Sequence, residues 1–366
     1  MSPFSALDHA HMAHALRLAE RGLFTTQPNP RVGCVIARGE SVVGSGFHER
    51  AGEGHAEVHA LRDAGDRARG ATAYVTLEPC GLHGRTPPCA DALIAAGVSR
   101  VVMAAEDTSQ AVGAGLARLR EAGITVESGL MREAARELNV GFFSRIERGR
   151  PFVRVKLAMS LDGRTALADG SSKWITGAAA RQDVQHWRAR ASAILSASGT
   201  VLADNPRLTV RLADTAFVPP LRVVLDRNLS TPAGHHVLDG SAPTLLLHAE
   251  QVVRDDARFA GIERQGMPEV HGRLDLHAVL AELARRGCNE VHVEAGPTLC
   301  GALLAERLAD ELLLYIAPVL LGSTARPLLD LPPLADMAER WQLETLDRRV
   351  LGDDLRLRLR PKTASA

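Results

Sequence analysis

The sequence predicts an α/β protein built as two successive domains, and three observations carry that prediction. Strand-like and helix-like segments alternate along most of the chain, the pattern that packs helices against a largely parallel sheet. A polar break at Arg148-Gly149-Arg150-Pro151 interrupts the alternation, and a new strand starts directly after it. The length of 366 residues suits two domains, each able to bury its own core. The expected boundary separates residues 1–148 from 149–366.

Taken in order, Asp8 to Arg21 carries Met12, Ala15, Leu16 and Ala19 at helical spacing, and Gly22 closes the segment. The turn Gln27-Pro28-Asn29-Pro30 leads into strands at Val32–Ala37 and Ser41–Phe47, whose short Arg38-Gly39-Glu40 link suits a hairpin. From His55 the pattern gives helix, strand 71–77, helix 86–96, strand 100–105, helix 112–122, strand 124–127 and helix 130–140. Beyond the break, strands are expected at 152–158, 192–196, 221–226, 244–248, 289–293 and 311–317, with helices at 177–190, 275–286 and 298–307.

Composition narrows the function classes. The chain is 46% apolar and 23% charged, ordinary for a globular protein. Its 43 basic and 43 acidic residues cancel, so no global field draws it to nucleic acid or anionic lipid. Aromatic residues make up only 4%, which leaves few platforms for stacking bases. Five cysteines at low density read as ligands rather than disulfides and favour a reducing cytoplasm. Met1 to His14 has no signal-peptide layout, and the longest apolar stretch, Leu312 to Leu321, is too short to span a bilayer.

The chemistry gathers at His55-Ala56-Glu57, Pro79-Cys80 and Cys89. Zn²⁺ accepts imidazole nitrogen and thiolate sulfur, and a catalytic site takes three protein ligands and leaves one position open. His55, Cys80 and Cys89 meet that count, and Glu57 remains as the proton carrier. This H-x-E…P-C layout is the signature of zinc deaminases acting on nucleobases, in which the glutamate is general acid/base and not a ligand. Eight residues separate the two cysteines here, instead of two. Residues two apart do not share a face of a regular helix, so His55 and Glu57 converge only where the chain is still turning into one. The helix expected after Pro87-Pro88 places Cys89 in its first turn, where the helix dipole favours thiolate. A His-x-Glu alone recurs by chance, and lone cysteines serve as small buried apolar residues; the combination in this order is the signal. His59 completes no H-E-x-x-H motif because Glu57 is misplaced for it, and it reads as a packing residue.

The second half lacks a G-x-G-x-x-G fingerprint but has two strand–glycine–helix junctions, Ile194 to Thr200 and Val291 to Thr298. Glycine at a strand end admits a ligand to the backbone, and the next helix offers amides to phosphate. Such junctions are also ordinary connections. Ser160-Leu161-Asp162-Gly163-Arg164 reads as a polar turn.

At these residues the whole chain resembles the bifunctional riboflavin-biosynthesis deaminase/reductases. The matching segments are Pro28 to Gly33, His55 to Leu61, Thr76 to Cys80, His83 to Cys89, Lys156 to Arg164, Trp174 to Thr176, Thr200 to Pro206 and Val293 to Leu299. The resemblance implies a cytidine-deaminase-like three-layer α/β domain followed by a dihydrofolate-reductase-like α/β domain. It implies Zn²⁺ and NADPH as cofactors, and a small phosphorylated pyrimidine as substrate, with no nucleic acid or membrane partner. The two reactions would be hydrolytic removal of a ring amino group and reduction of the ribosyl chain to ribityl. Ala158, Trp174, Thr200, Asp204 and the run Gly296, Pro297, Thr298, Leu299, Cys300, Gly301 and Ala302 would line the NADPH site. Ser172, Arg188, Leu208, Arg211 and Glu294 would contact the substrate, the arginines through its phosphate.

Three departures from the family stand out. Cys80-Gly81-Leu82-His83-Gly84 replaces Cys-Ser-His-His-Gly, Asp107-Thr108-Ser109-Gln110 replaces a longer Asp-Pro-Asn-Pro loop, and Asp226-Arg227 replaces Asp-Ser. Arg227 would pair with the 2′-phosphate of NADPH. Asn29 is expected to hold the ribose or ring, and Lys156, Asp162 and Glu294 are the acid/base candidates of the reductase half. Two rivals remain: a nucleic-acid deaminase with an appended domain, and a non-catalytic protein whose zinc takes His83 or His48 as fourth ligand. The sequence leaves the oligomeric state open, a homo-oligomer included.

Overall fold

The computed structural model describes residues 4–81, 88–109, 114–252 and 256–362. The chain forms two compact units, Met1–Gly149 and Arg150–Ala366. The first contains α1 (Ala6–Glu20), β1 (Gly33–Arg38), β2 (Ser41–Phe47), α2 (Ala56–Ala64), β3 (Thr72–Leu77) and α3 (Cys89–Ala96). It continues with β4 (Arg100–Ala105), α4 (Ala114–Glu121), β5 (Thr125–Ser128), α5 (Arg132–Leu138) and α6 (Val140–Arg148). Its five-stranded sheet runs β2-β1-β3-β4-β5, antiparallel across β1 and parallel from β3 onward. One apolar cluster joins Ile36, Val75 and Val101 to α2 and α3; a second joins Val35, Tyr74 and Val102 to α1 and to Phe142 and Phe143. The sheet is thus covered on both faces.

Glycine sets how closely the layers approach. A Cβ on Gly33 would lie 2.0 Å from the Ala15 carbonyl oxygen and 2.8 Å from the Ala19 nitrogen, so β1 lies directly on the backbone of α1. The helix expected over 130–140 is instead two. Asn139 ends α5 because its side chain is used elsewhere: its Oδ1 accepts from Arg31 N at 2.8 Å and its Nδ2 donates to Arg31 O at 2.9 Å. A new helix, α6, then runs on to Arg148. This long-range amide clasp pins the Pro28–Arg31 turn beside α6.

The second unit contains β6 (Phe152–Ser160), β7 (Arg164–Ala166), α7 (Ala178–Arg190), β8 (Ala193–Ala197), α8 (Ser198–Asp204), β9 (Leu221–Leu225), β10 (Thr244–Ala249) and β11 (Glu263–Met267). It continues with β12 (Glu269–Val270), β13 (Arg273–Leu274), α9 (Leu276–Arg285), β14 (Glu290–Val293), α10 (Pro297–Ala305), β15 (Glu311–Ala317), β16 (Arg326–Pro327), β17 (Leu343–Leu351) and β18 (Asp354–Pro361). The nine-stranded sheet has the order β11-β10-β9-β8-β14-β6-β15-β18-β17. It is parallel from β11 to β15, and β18 and β17 close it antiparallel. One face carries the largest apolar cluster, under α9 and α10. Near α7 the other face buries charge beside a small apolar cluster of Ala180, Val184, Leu313 and Tyr315: Arg154 reaches Glu311 at 2.7 Å and Glu290 at 2.9 Å, all three side chains almost fully buried. Arg190 and Arg358 complete the pairing of those carboxylates, and the Arg154 and Arg358 guanidiniums lie 4.6 and 5.4 Å from the Trp187 ring.

Overpacking typically costs about 1–3 kcal/mol, and backbone atoms around Gly33 cannot swing aside. Gly33→Ala is therefore expected to lower the unfolding free energy of unit 1 by at least that amount, read as a lower denaturant midpoint at unchanged slope. An unchanged midpoint would show that α1 and β1 are not in contact as described.

Candidate active sites

In the first unit, His55 is the N-cap of α2, with extended backbone (φ −74°, ψ 168°). The turn into the helix lets His55 and Glu57 reach one point although they are two residues apart. Cys80 follows β3 across Glu78 and Pro79, and Cys89 is the first residue of α3. The His55 Nδ1 lies 3.2 Å from Cys89 Sγ and 3.6 Å from Cys80 Sγ. A tetrahedral zinc with ordinary Zn–S and Zn–N bonds separates its donors by roughly 3.5–3.8 Å. The donor set and its spacing fit zinc. Among the described residues these three form the only His/Cys/Asp/Glu group close enough to share an ion.

The electrostatics suit proton transfer. The Cys80 thiol is drawn down to about 4, chiefly by its hydrogen bond with Cys89, while Cys89 is pushed up by the same partner and by burial. Burial lifts the Glu57 carboxyl from its usual range to about 7, close to where a general acid/base works best. Glu57 is 3% exposed yet lines a cavity of about 410 Å³. Asn29, His48, His55, Cys80, Asp107, Ser109, Phe142, Arg145 and Ile146 line it too.

Asn29 is thus in the cavity beside Glu57, and its Nδ2 donates to His48 Nε2 at 3.1 Å. The other nitrogen, Nδ1, lies 3.1 Å from the Gly54 carbonyl, and burial lowers the pKa of the ring. With both nitrogens engaged, His48 is not a fourth ligand; His83 lies outside the described residues. The altered loop still delivers Asp107 and Ser109 to the cavity, where Asp107 Oδ1 accepts from Ser109 N at 2.9 Å; Gln110 falls outside the described residues. The wall of Phe142, Arg145 and Ile146 lies beyond residue 140, where the sequence pattern ends its helix, and so is missing from the expected site. The amphipathic helical pattern of 140–148, with Phe142, Phe143 and Ile146 spaced among Arg145, Glu147 and Arg148, is the signal that points to it.

In the second unit, the expected residues gather at the C-terminal ends of neighbouring parallel strands, where α/β sheets place ligands. Lys156 and Ala158 are on β6, Thr200 and Asp204 on α8 after β8, Asp226-Arg227 after β9, and Glu294 to Ala302 after β14. Gly296 caps α10 with no side-chain hydrogen bond, and a Cβ there would meet no atom within 4 Å. That open cradle before uncapped amides fits a dinucleotide phosphate. Trp174 is 70% exposed, with the Arg181 guanidinium 4.7 Å from its ring. Ser172 is half-buried.

Other expected contacts turn inward. Cys300 is fully buried, and a Cβ on Gly301 would strike the Asp330 carbonyl at 2.0 Å, so both serve the packing of α10. Leu208 packs its side chain among Ile194, Val201 and Val224, leaving only its backbone for a ligand. Arg188 is not a loose phosphate hook: it grips Glu294 with two bonds, 2.5 and 2.8 Å, and donates to the Thr209 carbonyl at 2.8 Å. Burial opposes the charge on Glu294, but Arg188 overrides it and holds the carboxyl well below its usual range. Burial lowers the Lys156 pKa, and Glu294 resists the fall. Arg211 is exposed, and the Arg227 guanidinium pairs with Glu269. Asp162 and Asp226 are structural, the first accepting from Gly322 N at 2.8 Å and the second from Thr231 N at 2.7 Å.

Comparison with known proteins matches both units. Residues 5–105 match the cytidine and deoxycytidylate deaminase zinc-binding region, and residues 151–356 match the RibD C-terminal domain. The riboflavin biosynthesis protein RibD of Escherichia coli is 50% identical, over 96% of this chain and 99% of its own. The Haemophilus influenzae RibD is 46% identical over 99% and 100%. A structure of Acinetobacter baumannii RibD superposes with a TM-score of 0.90 at 42% identity, covering 97% of this chain and 99% of that one. No helix among the described residues is long and apolar enough to cross a membrane. The chain belongs to the RibD family, the zinc- and NADPH-dependent bifunctional deaminase/reductases of riboflavin biosynthesis.

Proposed function

We propose that the two units divide the family's reactions between them, unit 1 deaminating a diaminopyrimidinone ribosyl phosphate and unit 2 reducing the ribosyl chain of the product. The observation that carries the deaminase half is the His55/Cys80/Cys89 triad at the edge of a cavity into which buried Glu57 also faces. Zinc held by these three residues supplies the Lewis acidity that makes water nucleophilic at neutral pH. Glu57 takes the proton that water gives up and delivers it to the leaving amine, so the C–NH₂ bond is exchanged for C=O and ammonia departs. Asn29, oriented by His48, and the Asp107–Ser109 pair hold the ring and ribose.

For the reductase half, the support is the open cradle at Gly296 and the convergence of four strand ends. NADPH bound there supplies the hydride. Ala158, Trp174, Thr200, Asp204 and the first turn of α10 position it, and Arg227 takes its 2′-phosphate. Arg211 is the better placed partner for the substrate phosphate, because Arg188 is spent on fixing Glu294. Ser172, the Leu208 backbone, Lys156 and Glu294 face the sugar. Lys156, with its lowered pKa, and Glu294 remain the candidates for supplying the proton that accompanies the hydride.

The assay is incubation with the diaminopyrimidinone ribosyl phosphate, with and without NADPH, and identification of products by mass. Glu57→Gln keeps the donors and the volume, and should cost deamination about 10²–10⁴-fold while reduction of the deaminated intermediate stays within a few-fold of wild type. Zinc removal with a chelator should give the same split. Gly296→Val should do the reverse; because a Cβ there meets no protein atom within 4 Å, lost reduction in a normally folded variant is lost cofactor binding. Arg227→Ala should raise KM for NADPH several-fold and leave that for NADH near wild type; equal effects would remove Arg227 from the cofactor site. Loss of reduction in Glu57→Gln would mean that the two reactions are not divided as stated.

A further inference from the structure

A Cys-x-x-Cys pair holds its two sulfurs at a separation set by a single turn of backbone. Here eight residues intervene, and a connection of that length constrains its ends far less. The separation must be fixed by contacts instead. Among the described residues two are local: Cys89 N donates to Cys80 Sγ at 3.2 Å, and Ala90 N donates to the Cys80 carbonyl at 3.2 Å.

The third comes from α4, which holds none of the ligands. Arg118 Nη1 donates to the Gly81 carbonyl at 2.9 Å, and its Nη2 pairs with Asp91 Oδ1 at 2.5 Å. Gly81 directly follows Cys80, and Asp91 lies in the first turn of α3, two residues beyond Cys89. One planar guanidinium therefore ties the segment of one thiol to the segment of the other. The first turn of α4 is pressed onto the same loop: a Cβ on Gly115 would lie 2.0 Å from the Pro79 carbonyl oxygen and 3.3 Å from Gly81 N. Only a glycine lets α4 come near enough for Arg118 to reach.

We propose that Arg118 is a positioning residue for the metal, a clasp that sets the distance between the Cys80 and Cys89 sulfurs. This rests on the ligand assignment made above. The Arg118 and Asp91 side chains are 40% and 34% exposed, and an ion pair that accessible adds little to global stability. Its loss should appear in how firmly the ion is kept, not in whether the chain folds. Outer-shell partners of metal sites typically contribute 10–100-fold in affinity.

The test loads the full-length chain with one equivalent of zinc and follows release to a chromogenic chelator. Arg118→Met should release zinc about tenfold faster or more, Asp91→Asn should move in the same direction, and Arg118→Lys should fall between, since an ammonium lacks the two-pronged geometry. Arg120→Met, elsewhere on α4, serves as control and should match wild type. The melting temperature of the zinc-free protein should be the same for Arg118→Met and wild type, and deaminase turnover should recover when zinc is in excess. Release at the wild-type rate overturns the proposal. So does a lowered melting temperature of the zinc-free form that accounts for the faster release. A wild-type chain that takes up no zinc removes the ligand assignment itself, an outcome distinct from unaltered release in a zinc-binding chain.

Discussion

Three donors from three separate segments must meet within the reach of one ion, and unit 1 is arranged around that requirement. Two of the segments enter helices at the point of contact. His55 stands just before α2 and Cys89 opens α3, so both donors sit at helix N-termini, where the local potential is positive. The third, Cys80, comes from the end of a central strand. The sheet holds these starting points at fixed spacing, and the glycine contacts of β1 with α1 and of α4 with Pro79 leave the layers little freedom to shift.

Most of this site is legible in the sequence alone, because the chemistry admits few residue types. An imidazole, a carboxylate and two thiols in that order have few other uses, and the prolines and glycines around them mark where the chain turns. What is not legible depends on partners far away along the chain. Nothing local to residues 130–148 announces a break at Asn139; it arises because that amide bonds to Arg31 more than a hundred residues earlier. Arg118 is one arginine among many on exposed helices until its two acceptors are seen together.

In the second unit the strand ends are legible and the orientation of individual side chains is not. A run such as Gly296 to Ala302 reads as one nucleotide-binding stretch, yet a helix turns residues on opposite faces toward ligand and core. Cys300 and Gly301 fall on the core side. Arg188 and Glu294 are each chemically suited to a charged ligand, and pairing with one another changes what each has left to offer. The C-terminal hairpin of β17 and β18 is equally hard to read. Its alternating leucines and arginines look half-exposed, but Arg356 is buried, bonded to Asp183 of α7, so the face that looks like surface is covered.

The strand order of the second unit bears on synthesis. Its first strand, β6, lies between β14 and β15, which come from the far end of the unit. As the chain leaves the ribosome, all of unit 1 is available to fold while β6, with apolar Val153, Val155 and Leu157, has neither neighbour. Closing those pairs means joining ends of a long loop, which makes such topologies slow to form. Until then the unpaired strand offers its edge to other chains. The central placement that gives the mature sheet its stable middle makes the nascent chain most vulnerable at its earliest reductase segment, so dependence on chaperones should concentrate there.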